Sequence, residues 1–96
     1  MQHVYLVTYD VCDADRLRRI YRCLRGWGDH LQYSVFRCVL SSVELARLKR
    51  ELVELVHHTE DQVLFCDLGP AETRGRDAVS AIGLAYTHPE RHAIVV

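Results

Sequence analysis

The residues best able to do chemistry stand close together near the start of the chain. Asp10, Asp13 and Asp15 fall within six positions, and Arg16, Arg18, Arg19, Arg22 and Arg25 follow at once. Carboxylates hold hard divalent cations, and the guanidinium fork holds phosphate oxygens in pairs. The spacing Asp10-x-x-Asp13-x-Asp15 lacks the glycine and the twelfth-position glutamate of a calcium loop. No Ser-His-Asp order, phosphate-cradling glycine loop or dinucleotide fingerprint is present either. Asp13 reads as a helix cap, which leaves Asp10 as the one candidate carboxylate per chain. One carboxylate is thin for Mg2+. A two-fold axis doubles it, since two Asp10 side chains face to face would hold one hydrated ion and leave positions for water and phosphate oxygens. Cys12, Cys23, Cys38 and Cys66 contain no C-x-x-C pair and are expected to be reduced core thiols rather than a zinc or redox site.

These residues need a scaffold. The run His3-Val4-Tyr5-Leu6-Val7-Thr8-Tyr9 has the composition of a buried central strand, so Asp10 sits where that strand leaves its sheet. A helix opens at Asp13 and stops at Gly26 or Gly28. On it Leu17, Ile20, Tyr21, Cys23 and Leu24 gather on one side, while Arg18, Arg22 and Arg25 align on the other at i, i+4, i+7. That ridge is either a solvated face or a phosphate-binding surface; the scarcity of nearby acids favours the second. A second helix follows Ser41 or Ser42, with an apolar stripe of Leu45, Leu48, Leu52, Leu55 and Val56. Its outer charges are expected to pair as Arg47 with Glu51 and Arg50 with Glu54, and His57 and His58 fall at its end. Gln32 to Leu40 lies between the helices as one strand or two, and Gln62 to Cys66 forms another. The apolar tail His92-Ala93-Ile94-Val95-Val96 reads as a final strand in need of a partner.

At 96 residues the chain is one domain, able to bury roughly 60 to 65% of its unfolded surface. No apolar stretch approaches the roughly 18 residues of a membrane span and no signal segment opens the sequence, so a cytoplasmic location without membrane contact is expected. The net charge of −1 hides an asymmetry: residues 16–50 carry nine basic side chains against only Asp29 and Glu44, and both flanks are acidic. Eleven of the twelve basic residues are arginine. A localised anionic partner fits that pattern better than general stickiness.

The strand ending in Tyr9-Asp10-Val11, the helix from Asp13 to Gly26, and the segment Gln32-Tyr33-Ser34-Val35-Phe36 with Leu40 together resemble the CRISPR-associated protein two family, the small proteins of the spacer-acquisition stage. The resemblance covers residues 3 to 69 well and is most specific in Gln32 to Phe36. It implies an α+β, ferredoxin-like βαββαβ sandwich, with strands near Leu31 to Ser34 and Val35 to Leu40 and an extra C-terminal strand, about residues 92–96, added to a dimer partner's sheet. It further implies a homodimer working with a CRISPR integrase on double-stranded DNA, with Mg2+-dependent endonuclease activity on DNA or single-stranded RNA. On the matching positions, Asp10 is the metal ligand, Tyr9 stands beside it in the catalytic site, and Arg16 and Arg19 join the ridge arginines Arg18, Arg22 and Arg25 as nucleic-acid contacts. Ser34, Phe36 and Arg37 fall at the site or an interface, with core packing the competing role for Phe36. The family often has an acidic residue before the leucine equivalent to Leu40, where this chain has Val39. Two alternatives stand beside this reading: a non-catalytic adaptor of the integrase complex, and a toxin ribonuclease resembling virulence-associated protein D.

Overall fold

The computed structural model describes residues 1–86. Its element order is β1 (His3–Asp10), α1 (Ala14–Arg25), β2 (Gly28–Gln32), β3 (Val35–Leu40), α2 (Ser42–Val53) and β4 (Gln62–Pro70). All pairings are antiparallel and the strand order is β2-β3-β1-β4. This is the ferredoxin-like βαββαβ arrangement, in which the first strand is central and Asp10 is its last residue. The expected C-terminal strand lies outside the described residues.

Alternation along β1 sends Tyr5, Val7 and Tyr9 to the face covered by the helices, opposite Cys38 and Phe36 of β3. There Val7, Tyr9, Phe36, Cys38 and Leu40 meet Ile20 and Leu24 of α1 and Leu48 and Leu52 of α2 in one core cluster. Phe36 is wholly buried, and its ring packs against Tyr21, His30 and Tyr9 at centroid distances of 5.6, 4.9 and 6.2 Å. Its role is therefore packing. The opposite face of the sheet, free of helices, carries Leu6 and Thr8 of β1, Val35, Arg37 and Val39 of β3, and Leu64 and Cys66 of β4.

Both helix starts follow the sequence. Asp13 accepts the backbone N–H of Arg16 at 3.0 Å, and Ser41 forms a capping box with Glu44. β2 begins directly after α1, earlier than the strand expected near Leu31. Gly28 makes that possible, because a β-carbon there would collide with Cys38 Sγ and the carbonyl oxygen of Arg37. The expected pairing along α2 does not form either. Glu51 instead turns towards α1, accepting Trp27 Nε1–H at 3.1 Å and Cys23 Sγ–H at 3.4 Å, and among the described residues no ion pair joins Arg47 to Glu51 or Arg50 to Glu54. Burial and Glu51 push the Cys23 thiol up to about 12, so it stays protonated and unreactive. Of the four cysteines only Cys38 is a core thiol. Cys23 is half-buried, while Cys12 and Cys66 are exposed.

One polar network ties the chain beyond Asp10 to the start of β4. The Asp61 side chain is fully shielded, at 0% exposure. It accepts Arg16 Nε–H at 2.7 Å and the backbone N–H groups of His57 and Cys12 at 2.9 and 3.3 Å. The Arg16 guanidinium holds the Asp61 carboxyl well below the usual carboxylate range. That depression stabilises the fold fully above about pH 4, the unfolded value, and is lost as pH falls towards the folded value. Asp61→Asn should therefore melt below the wild type at pH 7, with the gap narrowing progressively as pH falls below about 4 in thermal melts followed by circular dichroism. A gap independent of pH would remove the charge from the explanation.

Candidate active site

Asp10 is exposed at the end of β1, paired with Gln62 of β4. By alternation it follows Leu6 and Thr8 on the helix-free side, at the rim of the sheet. Tyr9, its neighbour, turns the other way and is 6% exposed. Burial, and secondarily Tyr21, raise the Tyr9 hydroxyl above its ordinary value, so at neutral pH it is a hydrogen-bond donor and not a base. It donates to the carbonyl oxygen of Tyr33 at 3.4 Å. The backbone N–H of Tyr9 also donates to the Ser34 carbonyl oxygen at 3.1 Å, which draws the β2–β3 turn against the end of β1. Tyr9, Asp10, Val11, Leu17, Arg18, Tyr21, Tyr33 and Ser34 thereby line one open hollow of about 430 Å³.

The arginines divide by what they already hold. Arg16 was expected at a phosphate. Its guanidinium instead meets Asp61 and Glu60, two acids far away in sequence that the β4 entry brings alongside the helix start. Arg18 pairs with Asp15 one turn earlier on α1, a pair about 60 to 70% exposed, worth little and easily exchanged for a phosphate. Arg25 donates to the Tyr21 hydroxyl at 3.0 Å and lies over that ring at 5.8 Å. Arg19 and Arg22 are exposed. Arg37 lies on the other face of the sheet, 8% exposed, its Nε without a hydrogen-bond partner among the described residues. Ser34 contributes its turn carbonyl and a wall of the hollow.

Sequence reasoning missed Tyr33, Tyr21 and Leu17 as parts of this site. Leu17 and Tyr21 read as the apolar side of α1, and only the position of the β2–β3 turn shows that both also line the hollow, Tyr21 while packed against the core cluster and Leu17 while 40% exposed. Among the described residues no cluster of three or more His, Cys, Asp or Glu side chains is assembled for a metal. Asp10 is the one carboxylate lining the hollow, and Mg2+, which keeps several waters and takes one or two carboxylates, would be held there by Asp10 with water and, in a two-fold assembly, by a second Asp10.

A ferredoxin-like sheet with one carboxylate at the tip of its central strand, an aromatic hollow and a neighbouring arginine-rich helix defines a small α+β protein of one recognisable class. The sequence profile described as CRISPR associated protein Cas2 matches residues 2–74, and the chain belongs to that family. It is 40% identical over 96 residues, the full length of both chains, to the CRISPR-associated endoribonuclease Cas2 of Geobacter sulfurreducens. It is 36% identical over 95 residues to the CRISPR-associated endoribonuclease Cas2 1 of Rhodospirillum rubrum, covering 99% of this chain and 92% of that one. Among solved structures, Streptococcus pyogenes Cas2 superposes with a TM-score of 0.71 at 29% identity, covering 83% of this chain and 99% of that one. No helix of the described residues is long and apolar enough to cross a membrane.

Proposed function

We propose that the protein is a metal-dependent endonuclease of the CRISPR spacer-acquisition stage, active as a homodimer in which the two Asp10 carboxylates share one Mg2+. The observation that carries this reading is Asp10 itself, an exposed carboxylate at the rim of the sheet, with Arg18 of α1 lining the same hollow. A bound magnesium ion there supplies Lewis-acid polarisation of a phosphoryl oxygen. The chain's own residues do the rest. Asp10 holds the ion, Arg18, Arg19, Arg22 and Arg25 bind backbone phosphates, and Tyr9, kept protonated, fixes the turn that closes the site. Support for nuclease activity also comes from the endoribonuclease and endonuclease names of the relatives. Duplex DNA is the ligand that an arginine ridge with no base-reading groups suits best, with single-stranded RNA as a further substrate, and a CRISPR integrase subunit is the protein partner in a cytoplasmic setting.

The adaptor reading has its own support: one carboxylate per chain with no evident general base is weak equipment for hydrolysis, whereas phosphate contacts serve an adaptor equally well. Incubating the purified protein with labelled duplex DNA and single-stranded RNA, with Mg2+ and with chelator, separates the two. Cleavage only with Mg2+ is expected; intact substrates under all conditions would leave the adaptor.

The dimer is tested on the helix-free face. Leu64 is 54% exposed there, in line with Leu6 and Thr8, and a second copy stacked on that face would cover it while bringing two rims together. Leu64→Glu should raise the dimer dissociation constant at least about 10-fold, because a buried methyl cluster is replaced by a charge needing water. Sedimentation equilibrium reads this, and an unchanged dimer would place the interface elsewhere.

A further inference from the structure

We infer that the hollow beside Asp10 is a stacking site for a single unpaired nucleobase, with the Tyr33 ring as its outer wall. The inference rests on the nucleic-acid reading above and adds to it what the site holds besides phosphate. The hollow, about 430 Å³ and open to solvent, is in the size range of small-molecule sites. Its walls are mostly apolar, formed by Tyr33, Tyr21 and Leu17, and its charged groups are Arg18 and Asp10.

Tyr33 is the decisive residue. The residue is 95% exposed, so both faces of its ring are open to a stacking partner. Its backbone, in contrast, is clamped. The Tyr33 carbonyl oxygen accepts the Tyr9 O–H at 3.4 Å and His30 Nε2 at 2.7 Å; a carbonyl can only accept, so Nε2 carries the hydrogen. The far wall is equally fixed. Tyr21 stands edge-on to His30 and Phe36 at 5.2 and 5.6 Å, and its hydroxyl is held by Arg25 at 3.0 Å. Because the backbone of the turn is already held, only the rotation of the Tyr33 side chain is lost when a base stacks on it, which favours affinity.

The chemistry of the walls selects the ligand. Aromatic faces accept any base without reading its edges, and a guanidinium at the rim suits the phosphate attached to it. In an intact duplex each base is already stacked between its neighbours, so the occupant is a nucleotide of a single strand. Held there, its phosphate would meet the Arg18 guanidinium, which lines the same hollow as Asp10.

Binding measured in chelator tests this without any cleavage. The probes are a fluorescein-labelled single-stranded RNA, the same strand with abasic residues, and a blunt duplex DNA, followed by anisotropy. The wild type should bind the base-bearing strand about 10-fold more tightly than the abasic one, within the range that stacking on one aromatic provides. Tyr33→Ala should abolish that difference, Tyr33→Phe should retain it, and neither should alter duplex affinity. Because Tyr33 is almost fully exposed, both variants should fold. The inference is overturned if Tyr33→Ala keeps the wild-type discrimination, if it lowers duplex affinity equally, or if it changes the oligomeric state, which would make the hollow a contact for a second copy. Base-dependent binding by a protein that cleaves nothing would uphold the stacking site and remove the nuclease reading instead.

Discussion

Asp10→Ala should reduce Mg2+-dependent cleavage of nucleic acid at least about 100-fold while leaving the fold intact. Loss of a direct metal ligand should cost no less than the 10- to 100-fold that follows removal of a group merely supporting one. Because each chain contributes only this carboxylate, the substitution removes both protein ligands of the dimer at once. Asp10 makes no core contact and is exposed at the end of β1, so the stability change should stay within about 0.5 kcal/mol. Gel assays with Mg2+ and with chelator, beside a thermal melt, read both quantities. Equal cleavage by the variant would take Asp10 out of the mechanism and point to a contaminating nuclease.

Duplex binding should fall roughly 10³-fold between 50 and 200 mM salt, and the combined Arg18→Ala, Arg22→Ala and Arg25→Ala variant should lose most of that dependence. Three phosphate contacts per subunit become six in a dimer, and each displaces counterions that higher salt restores. A single substitution should lower the log-log slope by about 1, or by about 2 for the pair of sites a dimer contains. Arg22 should show the effect most fully. Arg18 first leaves Asp15 and Arg25 first leaves the Tyr21 hydroxyl, so part of what each gains from phosphate offsets a bond already made. If the triple variant keeps both affinity and slope, the ridge is only a solvated helix face.

The elements carrying the strongest local signals were legible in the chain. β1 shows its β-branched and aromatic run, and Asp13 and Ser41 cap their helices as their side-chain chemistry requires. Asp10 could be placed at a strand end because the apolar run stops there. What stayed hidden depends on contacts distant in sequence. Arg16 finds Asp61 across 45 positions and Glu51 finds Trp27 across 24, choices no helical spacing can forecast. The early start of β2 depends on a glycine packed against Cys38 of the next strand, and in isolation that glycine looked like a helix stop. Tyr33 carried no signal of its own, since an exposed tyrosine becomes meaningful only once Tyr9 and His30 clamp its turn. The fold itself came from the resemblance in Gln32 to Phe36, because periodicity alone left Gln32 to Leu40 as one strand or two.

The central claim is that two chains hold one metal ion between their Asp10 carboxylates. Titrating the dimer with Mg2+ by isothermal calorimetry tests it most directly, because the stoichiometry is read without substrate or catalysis. One ion per two chains, abolished in Asp10→Ala, is the predicted result; one ion in each chain, or binding that survives the substitution, would contradict it.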